Sequence, residues 1–312
     1  MSMKRVWTII RILITVFLLG YIILSIDIES IKKIMTLPVL LALIIASGFH
    51  FLQAIVCSLR WKLLSSSEGF KPNFPIILKT YLQGMFINTG FPSVVGGDYL
   101  RAATLVKIGL PVAHSSSSVF TDRLLGANAA AAISLIFYIS ILFIANNEII
   151  VGPSFSAISL ISLFLFGLSS VWIILVKVVN RLNLSFLPKA VMEGLKSKEY
   201  SIYEICVAMV LSVIGYILAG VSVYILAYVL NIDVGFLTIV GITSTVLIVS
   251  MVPISIGGWG MREASFAILL TPFAASQESS VILGLLYGFA ILLASLPGAW
   301  YFLTRDKKIS DE

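Results

Sequence analysis

Apolar runs of membrane-crossing length alternate along this chain with short polar intervals. Residues 6–26, 37–59, 124–145, 155–176, 202–230, 236–252 and 281–303 each carry at most one charged side chain. About 20 apolar residues at 1.5 Å per residue cross the ~30 Å hydrocarbon core of a bilayer. The pattern therefore predicts an all-α polytopic membrane protein with about seven full spans. Two further segments, 74–91 and 264–275, are apolar but short or interrupted. The first run follows Lys4 and Arg5 with no small-residue cleavage site behind it, and reads as a retained anchor.

Charge sets the expected orientation, because Lys and Arg collect in cytoplasmic loops. Most loop basic residues fall around Lys4 and Arg5, Arg60 to Lys79, Lys177 to Lys198, and Arg305 to Lys308, whereas the opposite loops hold only Lys32 and Lys33, beside Asp27 and Glu29, and 146–153 and 231–235 contain none. Both termini are then expected in the cytoplasm of a multi-pass plasma-membrane protein. With that orientation, 74–123 must enter from inside and return inside, and 236–278 must do the same from outside. Two broken or re-entrant hairpins, one from each face, complete the expected fold as a single transmembrane domain over residues 1–312.

The hairpins also match in sequence. FPSVVGGDYLRAAT at 91–104 aligns with VPISIGGWGMREAS at 252–265, pairing Pro92 with Pro253, Gly96 and Gly97 with Gly257 and Gly258, and Arg101 with Arg262. All pairs share a separation of 161 residues. Matching sequence with opposed topology is the mark of an inverted repeat. Proline removes a donor and paired glycines admit non-helical backbone, so helices should break at Pro92, Gly96, Gly97, Pro253, Gly257, Gly258 and Gly260. A helix would restart at Asp98, a good N-cap. Broken backbone survives at membrane depth where it lines a cavity, and helix N-termini there suit an anion. The other reading is that the glycines only let helices pack closely.

Composition agrees with a lipid environment: 59% of the 312 residues are hydrophobic and 12% charged, about half the charged share of a soluble domain. The net charge of +6 comes without a basic patch interleaved with aromatics, so nucleic acid is not an expected partner. Cys57 and Cys206 lie in apolar runs and read as packing residues. No Walker loop, H-E-x-x-H, G-x-S-x-G or metal-ligand spacing occurs, so no catalytic residue, metal site or cofactor is expected.

Six ionisable residues fall near or inside the apolar zone: Arg101, Arg123 and Arg262 with Asp98, Asp122 and Glu263. Burying one unpaired costs about 3 kcal/mol on insertion scales, so each needs a partner or a task. They are either ion pairs holding the hairpins together, or a headgroup site. In the second case the arginines fork onto a lipid phosphate, while the acids orient them or meet a cationic headgroup. Asp98 and Arg101 share a helical face, whereas the adjacent Asp122 and Arg123 point apart. His50 reads as a hydrogen-bonded structural histidine, and Ser115 to Ser118 as the cap of the helix carrying Asp122 and Arg123.

Taken in order, P-x-x-x-G-G-D-x-x-R at 92–101, D-R-x-x-G at 122–126 and P-x-x-x-G-G-x-G-x-R-E at 253–263 resemble the lysylphosphatidylglycerol synthase transmembrane region, also called the flippase-like domain family. The family includes the membrane half of the multiple peptide resistance factor, which exposes aminoacylated phosphatidylglycerol on the outer leaflet and weakens antimicrobial peptides. The resemblance implies a flippase for a phosphate-bearing lipid, such as aminoacylated phosphatidylglycerol or a polyprenyl-phosphate-linked glycolipid. Residues matching that factor's soluble aminoacyl-transferase half are not found here, so lysyltransferase activity is not the expectation. Two other readings stay open: a membrane-embedded transferase or accessory subunit in lysylphosphatidylglycerol or glycolipid synthesis, and a secondary transporter of a small organic anion. Expected partners are membrane lipid, a separate lipid-modifying enzyme and a second copy of the chain.

Overall fold

A computed structural model of the chain describes residues 36–90, 96–144, 167, 200–251, 255 and 257–303. Among them are eight α-helices, one 3-10 turn and no strand-built sheet. The helices are α1 Leu37–Ser65, α2 Phe74–Gly90, α3 Gly96–Lys107, α4 Val112–Ile144, α5 Ile202–Val229, α6 Phe236–Met251, α7 Met261–Leu270 and α8 Gln277–Leu303. The expected crossings at 6–26 and 155–176 lie outside the described residues, apart from Gly167, as do Pro92 and Pro253.

Among the described residues, four helices are long and apolar enough to cross a membrane: Leu37–Ser65, Val112–Ile141, Ile202–Val229 and Gln277–Tyr301. α1 shows why. Pro38 sits in its first turn, where a missing N–H costs nothing, and Lys62 lies in its last turn against the negative end of the dipole. Val39, Ala42, Ala46, His50, Ala54, Cys57 and Leu64 form a buried stripe, while Leu40, Leu41, Ile44, Ile45, Leu52 and Leu59 face outward. A stripe buried in protein opposite a belt of exposed leucine and isoleucine is the profile of a helix with one face in lipid.

The stripe of α1 packs along α5, where Ala208 clusters with Leu64, Ser212 meets Arg60 and Gly215 lies against Cys57. Small residues let the two backbones approach closely, the main source of packing energy where lipid removes the hydrophobic drive. α5 begins in a capping box: the Ser201 hydroxyl accepts from the Glu204 N–H, and the Glu204 carboxylate accepts from the Ser201 N–H.

α4 is one continuous helix of 33 residues. It begins at Val112, ahead of the apolar run at 124–145, and carries Asp122 and Arg123 as expected. Ser115 to Ser118 accordingly do not cap it. Ser115 and Ser118 instead turn their hydroxyls back onto the Leu110 and Ser115 carbonyls inside the first turns. The alanines of this helix form a packing face, with Ala129, Ala130 and Ala131 fully buried.

Between the long helices lie two pairs of shorter ones. α2 and α3 pack on each other around the interval 91–95, and α6 and α7 around 252–260. The separation of 161 residues carries Gly90, the end of α2, onto Met251, the end of α6. At 16 residues α6 is shorter than a crossing, and nearly all of its middle is buried. α8 packs against α2, α7 and α1 and so closes the bundle around these half-helices.

Candidate functional site

The buried charges of the first pair form one network. Asp122 of α4, 1% exposed, stands between two arginines: Arg60 of α1 donates from Nε to Oδ1 at 2.6 Å, and Arg101 of α3 from Nη2 to Oδ2 at 2.7 Å. Arg60 also donates to the Ser212 hydroxyl of α5 at 2.8 Å, and Gly126 leaves space beside its guanidinium. One turn along α3, Asp98 lies 3.5 Å from Arg101 and accepts a forked pair of bonds from Arg123 at 3.0–3.1 Å. Three guanidiniums thus face two carboxylates. Charged hydrogen bonds of this forked kind are the strong ones, and here they join α1, α3, α4 and α5.

Arginine's flat guanidinium also stacks on rings, which lysine's ammonium does less well. That of Arg101 lies 4.3 Å from the Trp61 ring centre and 4.9 Å from that of Tyr81. Its Nε remains buried with no hydrogen-bond partner.

The second pair is organised differently. Arg262 of α7 donates Nη2 and Nε to Oε1 of its neighbour Glu263 at 2.9 and 3.1 Å, and Nε also to the Gly284 carbonyl of α8 at 3.2 Å. The other oxygen of Glu263 caps α7 by accepting from the Gly260 N–H. Rings of Trp259 and Tyr287 flank this arginine at 4.5 and 5.8 Å, and a side chain at Gly288 would collide with its guanidinium. Arg262 and Glu263 are 3% and 0% exposed. Among the described residues no ion pair joins the two half-helix pairs, so the charges do not tie one hairpin to the other.

The matching glycines turn out to serve two purposes. Gly257, Gly258 and Gly260 have φ of 58°, 78° and 85° and break the chain ahead of α7. Gly96 and Gly97 instead form the first turn of α3, which starts two residues before Asp98. A Cβ on Gly97 would strike the Gly84 carbonyl of α2, so this glycine permits close approach.

Between the two pairs lies a cavity of about 220 Å³. Arg101 and Arg123 lie on one side, His50 and Gln53 of α1 on another, and Tyr81, Gly84, Met85, Asn88 and Thr89 of α2 form a third. Leu247, Tyr287 and Ile291 complete the wall. Of the six charged residues singled out from the sequence, Arg101 and Arg123 reach this wall. Asp98 and Asp122 stand behind them as their anchors, and Arg262 and Glu263 lie beyond Tyr287.

The last turn of α2 links both breaks to the cavity: Asn88 Oδ1 accepts from the Gly97 N–H at 3.0 Å, and the Thr89 carbonyl accepts from Trp259 Nε1 at 3.0 Å. Sequence reasoning missed Arg60, Asn88 and Gln53 and set His50 aside. Arg60 was counted among the basic residues that mark the cytoplasmic side. The available signal was its place on the 3–4 spacing of Ala46, His50, Ala54 and Cys57, which makes it part of the buried stripe.

Similarity to known proteins agrees with the helical plan. The model of a family described as "Lysylphosphatidylglycerol synthase TM region" matches residues 8–298. A UPF0104 membrane protein of Methanocaldococcus jannaschii is 24% identical over 293 residues, covering 85% of this chain and 84% of its own. Another, of Archaeoglobus fulgidus, is 23% identical over 299 residues, covering 88% and 89%.

Proposed function

The chain belongs to the lysylphosphatidylglycerol synthase transmembrane-region family, and from that premise we propose that it is a lipid translocase which holds a phosphate-bearing headgroup beside Arg101 and Arg123. Membership itself carries a membrane protein with a lipid-related role; the translocase step rests on the site. The observation that supports it most is the charge imbalance of the network that reaches the cavity wall through Arg101 and Arg123. Arg60, Arg101 and Arg123 outnumber Asp98 and Asp122. An uncompensated charge at membrane depth costs on the order of 3 kcal/mol on insertion scales, and a phosphate would remove that cost.

Size points the same way. Drug-sized pockets start at about 300 Å³, and this cavity at about 220 Å³ suits a headgroup whose acyl chains stay in the bilayer. The pairs α2–α3 and α6–α7, read as an inverted repeat, would open it to one leaflet and then the other. A transferase would need a carboxylate free to move a proton. Asp98, Asp122 and Glu263 are all committed to arginines, which favours translocation over chemistry.

Mass spectrometry of lipid co-purifying with wild type and with an Arg101→Gln, Arg123→Gln double variant tests the reading. Wild type is expected to retain an anionic phospholipid above its bulk abundance and the variant to lose it. Equal retention by both, at matched folding, overturns the headgroup site and leaves the small-anion transporter as the better account.

A further inference from the structure

The cavity wall is specific about more than phosphate, and this next step rests on the translocase reading above. None of its lining residues is acidic, and the undescribed residues of the two breaks, 91–95, 252–254 and 256, contain no acid in the sequence. Several of its oxygen acceptors already take a hydrogen bond from the protein. Gln53 Oε1 pairs with His50 Nδ1 at 2.8 Å, Asn88 Oδ1 takes the Gly97 N–H, and the Thr89 carbonyl takes the Trp259 indole N–H. The hydroxyl of Thr89 points back to the Met85 carbonyl.

What the wall still offers is mostly donors. Amide oxygens used in this way leave the NH₂ groups of Gln53 and Asn88, and Arg101 Nε is buried and unpartnered. His50 Nε2 is likewise buried and unpartnered; with the Nδ1–H given to Gln53 Oε1, the neutral ring presents Nε2 as an acceptor, which suits a hydroxyl. An aromatic face can receive an ammonium, but here Arg101 lies over Tyr81, and Arg262 and the His50 ring flank Tyr287.

We infer that the headgroup this cavity accepts is an anionic phosphate whose remaining substituents are neutral hydroxyl groups, and that it rejects headgroups bearing an ammonium, including the lysyl ester in the family's name. Donors and guanidiniums match phosphate and hydroxyl oxygens. An ammonium would meet two arginines with no carboxylate on the wall to balance it, and such like-charge placement is the usual device for excluding a wrong ligand.

The purified full chain in proteoliposomes tests this, with trace acyl-chain-fluorescent phosphatidylglycerol, phosphatidylethanolamine or lysylphosphatidylglycerol and a membrane-impermeant quencher reporting leaflet exchange. Phosphatidylglycerol is expected to exchange at least ~10-fold faster than either ammonium lipid, since each ~1.4 kcal/mol of discrimination is tenfold. An Asn88→Asp variant keeps an oxygen for the Gly97 N–H and places a carboxylate on the wall, so it should narrow or reverse that ratio. Lysylphosphatidylglycerol moving as fast as phosphatidylglycerol in wild type overturns the inference and leaves the translocase reading standing. Uptake of labelled glycerol 3-phosphate with no lipid exchange identifies a soluble anion as the ligand and overturns the translocase reading. No movement of any of these compounds overturns both.

Discussion

Arg101 and Arg262 occupy equivalent positions in the two half-helix pairs, and each guanidinium lies between a tryptophan and a tyrosine ring. Their electrostatic fates nevertheless differ. In the first pair the acid precedes the arginine by three residues, at Asp98; the equivalent position of the second pair is Trp259. There the acid follows immediately, at Glu263, where the first has Ala102. Glu263 neutralises its neighbour and caps its own helix, giving a closed unit that needs only the Gly284 carbonyl from outside. Asp98 is shared with Arg123, so Arg101 must also reach Asp122, which in turn holds Arg60. Moving one acid along a helix thus separates a self-contained pair from a network that spans four helices, has surplus positive charge and opens on a cavity.

That contrast can be broken most severely at Asp122. Asp122→Ala leaves Arg60 and Arg101 buried without their shared carboxylate and should cost about 3–5 kcal/mol, as other broken buried pairs do. Glu263→Gln keeps one oxygen for Arg262 or Gly260 and should cost about 1–3 kcal/mol. Unfolding of both variants in one detergent measures the difference; a greater loss at Glu263 would mean that the second unit, not the first, holds the bundle together.

A milder probe is Trp259→Phe, which preserves the ring but removes the hydrogen bond to the Thr89 carbonyl. The expected cost is about 1 kcal/mol. Hydrogen exchange should rise at the end of α2 as well as around 257–260, since this bond ties the second break to the first; a change confined to 257–260 would show the two breaks to be independent.

The smallest stability effect is expected at Arg123. Its side chain is 45% exposed, and partly exposed pairs contribute about 0–1 kcal/mol, so Arg123→Gln should unfold nearly like wild type. Anionic lipid retention should still fall, because Arg123 is on the cavity wall. Arg262→Gln sharpens the point from the other side: its larger loss of stability should come with lipid selectivity closer to wild type, since Arg262 is not on that wall.

Several of these features were legible in the chain because their causes are local. Apolar run length predicts α1, α5 and α8, and the repeated G-G-x-x-x-R pattern locates both half-helix pairs. The 3-residue spacing of Asp98 and Arg101 correctly places them on one face. Adjacent Asp122 and Arg123 do diverge, one toward Arg60 and Arg101 and the other toward Asp98. The start of α4 at Val112, ahead of Ser115 to Ser118, is less legible, because charge at 122–123 resembles the edge of an apolar run. Inside a bundle, charge paired across helices interrupts nothing.

Run length, helix-breaking glycines and the spacing of charges along a helix are set by neighbours within a few residues, so the amino-acid order alone determined a helical membrane protein with two interrupted segments and buried arginines. Which carboxylate serves which arginine is set by residues up to 62 positions apart, and the recruitment of Ser212 by Arg60 spans 152. The tertiary structure likewise decided that Gly97 serves close packing while Gly257 and Gly258 serve the break, and that Arg101 and Arg123 reach the cavity while Arg262 does not. The reason is that a buried charge takes the partner its helix packing brings within ~3 Å, and linear spacing carries no record of that packing.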